Sequence, residues 1–202
     1  MTGPRDAPLG WRRTFANYSA GEVARISGLS PDMQRVWRRR GYLPQVGSGH
    51  ARFRPAEVIE ISIRYALSKL GVPPSESRTI HRDAISGALW SALINHHGSC
   101  EVIGPEGEVA AFLEDENWPD HALELVGCPA NCNYLIWDDE GTTRILNDPQ
   151  EVFDRRSVSI IAIDLEVVGA RLMVNGRKPI VTLEAPLQAA ARHIRRLSGV
   201  GR

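Results

Sequence analysis

The chain has 202 residues, 43% hydrophobic and 24% charged, which is enough apolar material for one large core or two small ones. These proportions exclude a disordered tail protein, and no run of about 18 consecutive apolar residues is present to cross a bilayer. Met1-Thr2-Gly3-Pro4-Arg5-Asp6 carries no apolar run after its first charge, unlike a secretory signal, and three cysteines make no disulfide framework. The expectation is a cytoplasmic chain with no membrane partner.

The balance of 24 basic and 24 acidic residues hides a polarity. Cutting after Gly98 leaves 14 Lys and Arg against 7 Asp and Glu in the first part, and 10 against 17 in the second. The first half is the natural partner of a polyanion; attraction between the halves, or chance, would give the same split. Lys69 and Lys178 are the only lysines, so the cation is nearly always arginine, which binds phosphates and base edges bidentately.

In chain order, residues 1–17 hold Pro4, Pro8 and Gly10 without an apolar period and read as a flexible arm containing Trp11, Arg12 and Arg13. Ser19-Ala20-Gly21-Glu22 is a capping box, so a helix begins there, buries Val23, Ala24 and Ile26, and ends at Gly28. Ser30-Pro31-Asp32 repeats the signal with a cap, a proline in the first turn and an acid at the positive pole. This second helix runs to Arg40, with Met33, Val36 and Trp37 at core spacing and Gln34, Arg35, Arg38 and Arg39 outside; Gly41 closes it. Two short helices about a tight turn, the second basic on its outer face, form a helix-turn-helix. Leu43-Pro44 cannot continue the helix, Gly47-Ser48-Gly49-His50 is the kind of tip that joins two short strands, and Arg52-Phe53-Arg54 is expected to be the returning strand of this wing. Pro55-Ala56-Glu57 opens a helix carrying Val58, Ile61, Ile63, Tyr65, Ala66 and Leu70, stopped by Gly71 and Pro73-Pro74. Ser75 caps a longer one from Glu76 to about His96, with Ile80, Ile85, Leu89, Trp90 and Leu93.

From Tyr18 to Leu70 these residues resemble the winged-helix DNA-binding domain of the MerR family of transcription regulators. The matching positions are Tyr18 with Gly21-Glu22-Val23-Ala24, Gly28-Leu29-Ser30, Arg35 with Trp37, Gly41 with Leu43-Pro44, the wing ending in Phe53, and Glu57-Val58. The sequence departs from the family where Gly49-His50-Ala51-Arg52-Phe53 shifts the wing's basic residue by one, and where Arg38 replaces the usual acid. Trp37 stands in place of a tyrosine, with core spacing rather than the placement of an intercalator.

The resemblance implies a second helix in the major groove, with Ser30, Gln34, Arg35, Arg38 and Arg39 at bases or phosphates. His50, Arg52 and Arg54 would lie along the neighbouring backbone. It also implies a homodimer joined through the helix that follows, by Ile85, Leu89 and Leu93; packing of that stripe on the chain's own second half is the competing outcome.

After Gly98 the pattern predicts a small α+β domain. Tyr134–Trp137 and Thr143–Leu146 flank Asp139-Glu140-Gly141 as a hairpin, and Ser157–Ile163 is a buried strand. Asp164 caps a helix burying Leu165, Val168 and Leu172 and ending at Asn175-Gly176. Ile180–Leu183 is a strand, and Pro186 opens a last helix with Arg192, Arg195 and Arg196 on one side; the mixed periodicity of residues 101–127 assigns no element there.

Cys100, Cys128 and Cys132 with His96, His97 and His121 lack the second paired cluster of a structural zinc site, so ordinary loop or core cysteines are the expectation and no metal or cofactor is assigned. The acidic runs Glu114-Asp115-Glu116 and Asp138-Asp139-Glu140 read as solvated turns. There is no Gly-x-Ser-x-Gly elbow, phosphate loop, His-Glu-x-x-His or dinucleotide fingerprint, hence no catalytic residue and no expected enzyme activity.

The sequence therefore predicts an α+β protein with a flexible arm (1–17), a winged helix-turn-helix (18–74), a connecting and dimerisation helix (75–98) and a regulatory or oligomerisation domain (99–202). The implied function is a bacterial or phage regulator that binds double-stranded DNA, with oligomerisation or a small-molecule effector left to the second domain. Two rivals stand beside it: an architectural factor of the excisionase or terminase kind, and a module that binds an acidic protein.

Overall fold

The computed structural model describes residues 11–45, 50–78, 80–114, 118–127, 132–152 and 159–185, and its class is α+β. The first half runs β1 (Arg12–Phe15), β2 (Tyr18–Ser19), α1 (Ala20–Ser27), α2 (Pro31–Arg39), β3 (Arg52–Phe53), α3 (Pro55–Lys69) and α4 (Arg82–Asn95). The second runs β4 (Cys100–Ile103), α5 (Glu106–Leu113), α6 (Trp118–Val126), β5 (Tyr134–Asp138), β6 (Thr143–Leu146), β7 (Ile160–Asp164), α7 (Leu165–Gly176) and β8 (Val181–Glu184). Gly47-Ser48-Gly49, Asp115-Glu116, Cys128 and the segment from Pro186 with Arg192, Arg195 and Arg196 lie outside the described residues.

Cap chemistry sets the early helices. The Ser19 N–H donates to Glu22 Oε2 at 2.7 Å while the Glu22 N–H donates to Ser19 Oγ at 3.3 Å, which satisfies two amides that the first turn cannot. Gly28 takes the left-handed φ of 82° that ends α1, and Gly41 the φ of 72° after α2. In α7, Asp164 caps the Val167 N–H at 3.0 Å and Leu165, Val168 and Leu172 are buried, as the sequence predicts. The left-handed residue after α7 is Arg177, at φ 56°, rather than Gly176. Gly176 stays helical and lacks a Cβ where one would meet the Tyr18 ring at 3.2 Å.

Among the described residues, three sheets frame these helices. In the first, β8 lies between β1, antiparallel to it, and β4, parallel to it. β2 and β3 form an antiparallel pair, and β5 lies between β6 and β7 in the antiparallel sheet that contains the expected hairpin. Residues 101–127, where the sequence pattern assigns nothing, supply β4, α5 and α6.

Several expectations are corrected. The arm is ordered from Trp11 onward, because β1 completes the backbone hydrogen bonds on the other side of β8 and Arg12 Nη2 pairs with Glu184 at 2.5 Å. The predicted helix from Glu76 to His96 is a 3-10 turn at Glu76–Arg78 followed by α4, whose N-cap is His81. Met33 is 43% exposed and not core. Leu89 and Leu93 are buried in the chain's own core and Ile85 packs against it, so the expected dimerisation stripe is occupied within the protomer.

α4 packs on α7, α6 and α3, and α7 rests on α1, α3 and α4 together. The core runs without a break from Tyr18, Val23 and Ile26 through Ile63, Ala88 and Leu93 to Leu165, Leu172 and Leu183, across the expected boundary at residue 98. Close approach is built into the crossing. A Cβ on Gly169 would collide with the Ala88 carbonyl, and one on Gly87 would lie 2.5 Å from the Cys132 carbonyl oxygen.

A charged clasp ties α1 to the segment after α7. Lys178 Nζ donates to Glu22 Oε1 and to the Asn17 carbonyl, each at 2.7 Å, and sits 4.4 Å from the centroid of the Tyr18 ring. The Lys178 hydrogen bond, followed by those from Ser19, holds the Glu22 carboxyl down at about 2. A carboxyl lowered on folding stabilises the fold fully above its ordinary value near 4.5 and progressively less as pH falls toward 2. Glu22→Gln is expected to cost about 1–2 kcal/mol at neutral pH, with the difference from wild type shrinking below pH 4.5, as urea unfolding across that range would measure.

Candidate nucleic-acid interface

α1 and α2 meet at a turn fixed by one buried side chain. Gln34 is fully buried, and its Nε2 donates to the carbonyls of Ala20 and Leu29, both at 2.9 Å. Gln34 is thus removed from the set expected to touch bases. It shares the inward face of α2 with Trp37, three residues on, while Met33 takes the outside. In a helix of nine residues, slots 33 and 34 are both consistent with an apolar stripe through 36 and 37, and only the partner carbonyls decide between them.

The arginines divide by depth. Arg35 is exposed and ion-pairs with Asp32 one turn earlier; Arg39 and Arg40 are exposed beyond it and make no ion pair among the described residues. Arg38 turns inward. Its guanidinium lies over the Phe53 ring at 5.3 Å, its Nε and Nη2 are buried without hydrogen-bond partners among the described residues, and burial, then Arg35, lowers its pKa. Arg38 therefore links α2 to β3, a placement unlike the direct contact expected of it.

Ser30 is the N-cap of α2, its Oγ accepting from the Met33 N–H at 3.2 Å. β3 is the expected returning strand at Arg52-Phe53, but it pairs with Tyr18-Ser19 rather than with Leu43-Pro44. The pairing of Arg52 with Ser19 places Arg52 at the start of α1, outside the buried Phe53, and Arg54 follows at the start of α3. The Arg54 N–H donates to Glu57 Oε2 at 2.7 Å, and Arg54 and His50 are both exposed.

Sequence reasoning missed Arg64. This arginine is 3% exposed beneath the segment after α2, donates from Nη1 to the Tyr42 carbonyl at 2.7 Å, and lies 5.4 Å from the Trp37 ring. It fixes the exit from α2 on α3. Its position within the apolar period of α3 is the signal that could have found it.

Among the described residues, the acidic half makes no ion pair with these cations. Among the described residues, the ion pairs joining the two halves are Arg12 with Glu184 and Lys178 with Glu22, neither of them on α2 or β3. Nor is a metal centre assembled there: among the described residues no group of three or more His, Cys, Asp or Glu is placed to hold an ion. Burial, then Glu101, pushes the Cys100 thiol up to about 12, which makes it a poor nucleophile. The sequence matches no protein-family model and no curated protein.

Proposed function

We propose that this chain is a regulator that binds double-stranded DNA through a winged helix-turn-helix of the MerR kind. In this reading α2 enters the major groove with Arg35 and Arg39 at phosphates or base edges, and Arg52, Arg54 and His50 follow the adjacent backbone. The observation that carries it is the row of exposed arginines on α2 and β3, which pair with no acid of the second half among the described residues and are mounted on two helices that Gln34 clamps at a fixed angle. Nine residues of helix span roughly 13 Å, a length that suits a major groove about 12 Å wide. Gln34 and Arg38 act here as positioning residues, the first at the turn and the second between helix and strand. A twofold operator calls for two copies, and their pairing would use a surface other than the occupied stripe on α4.

Genome-wide DNA capture with the purified protein, followed by gel shifts on the recovered sites, tests this reading. Arg35→Ala/Arg39→Ala is expected to weaken binding and to flatten the log K against log salt slope by about one unit for each phosphate no longer neutralised. Equal affinity and slope in wild type and variant would reject α2 as the reading helix, and recovery of no duplex would reject the function.

A further inference from the structure

A cleft of about 370 Å³ opens where the exit of α2 meets β3 and α3. Sites for small molecules run from roughly 300 to 1,000 Å³, so this one suits a ligand at the small end. Leu43, Phe53 and Ile61, all buried, give it an apolar lining, and the half-buried Tyr42 adds a ring.

The rest of the lining is charged, and the charges are sorted. Glu57, Glu60 and Arg64 fall three and then four residues apart on α3 and so share one face of that helix, while Arg78 joins them from the turn before α4. Acids therefore stand at one end of the row and guanidiniums at the other. Glu57 Oε2 accepts the Arg54 N–H at 2.7 Å, but its Oε1 accepts no hydrogen bond among the described residues. Glu60 reaches only Arg64, at 3.5 Å, and burial raises its pKa despite the charge of Arg64, with Glu57 adding to the rise. Arg64, 3% exposed, directs Nη1 and Nη2 to the Tyr42 and Pro74 carbonyls, and its Nε is buried without a partner among the described residues. Arg78 is exposed, lies 5.6 Å from the centroid of the Tyr42 ring, and makes no ion pair among the described residues. A lone anion in this cleft would meet the two acids, and a lone cation the two arginines. A molecule that carries both charges can answer each end with its opposite.

We propose that the cleft binds a small zwitterion with an apolar body, an apolar amino acid or dipeptide, its ammonium between Glu57 and Glu60, its carboxylate on Arg78 and its side chain against Leu43, Phe53 and Ile61. The site belongs to the protein without DNA, so it stands or falls apart from the recognition of a duplex.

NMR titration of the full chain in the absence of DNA tests it, with the apolar L-amino acids and leucylleucine as probes, and with the N-acetyl and carboxamide derivatives of each. At least one probe is expected to bind with Kd below about 1 mM, and its derivatives, each lacking one charge, about tenfold more weakly. Arg78→Gln is expected to weaken the parent probe about tenfold while leaving the carboxamide unaffected, and Glu60→Gln to do the same with respect to the N-acetyl form. Because Arg78 is exposed, its variant reports on binding and not on folding. Preference for a single amino acid or for the dipeptide tells the two sources apart. Absence of binding by every probe overturns the proposal, as do derivatives that bind as tightly as the parent and full affinity in either variant.

Discussion

Gly169→Ala is expected to destabilise the protein by about 3 kcal/mol, lowering Tm by about 10 °C. In the middle of a helix alanine ordinarily gains about 1 kcal/mol over glycine, so the sign of this result is diagnostic. The added methyl would meet the Ala88 carbonyl, and Ala92 N lies only 3.1 Å away, both on the backbone of α4, which cannot step aside like a side chain. α4 and α7 must separate, and α7 is also the helix on which α1 and α3 rest. The control is Gly21→Ala, at a helical site with nothing within 4 Å of the new atom, where no loss is expected. A thermal melt of both variants decides the matter, and a neutral Gly169→Ala would mean that the two helices do not cross so closely.

Gln34→Ala is expected to cost about 3 kcal/mol, from a cavity in the turn and two carbonyls deprived of their shared donor. A glutamine that read a base would behave otherwise, changing sequence preference while leaving the unfolding curve in place. Here binding falls because less of the protein is folded, so urea unfolding shows the deficit and the salt slope of the folded fraction stays that of wild type. Gln34→Glu sharpens the test. A buried carboxylate facing two carbonyl oxygens is destabilised in its ionised form, which raises its pKa in the folded state, so stability missing at pH 7 returns as pH falls. A variant equally stable at pH 5 and pH 7 would contradict the clamp.

These glycine and glutamine sites mark where sequence reasoning reaches its end. Ser19 with Glu22, Ser30 with Pro31, and Asp164 are legible because a cap is made within three residues of itself, and the hairpin of β5 and β6 because its turn and alternation are adjacent. Gln34 escapes such reading because its partners, Ala20 and Leu29, are carbonyls, and carbonyls leave no mark in a sequence. β1 resembles a loose arm because Arg-Arg-Thr-Phe has no apolar alternation; its order comes from the backbone of β8. The expected dimerisation stripe on α4 is a true apolar stripe. Periodicity requires that it be covered and is silent about what covers it. Among the candidate binding residues, Arg35, Arg39, Arg52 and Arg54 stand outward as expected, whereas Arg38 is drawn in by the Phe53 ring, an attraction between residues fifteen positions apart.

The union of β1 with β8 also orders events during synthesis. Arg12 and Glu184 are separated by 172 positions, so β1 must wait for β8 on the order of ten seconds at ordinary elongation rates. Closing so long a loop is slow, and until it happens β1 offers nothing to hold it in place. α1 meanwhile lacks the lysine and the helix that anchor it. The setting of the arginine-bearing face thus becomes contingent on synthesis having passed β8.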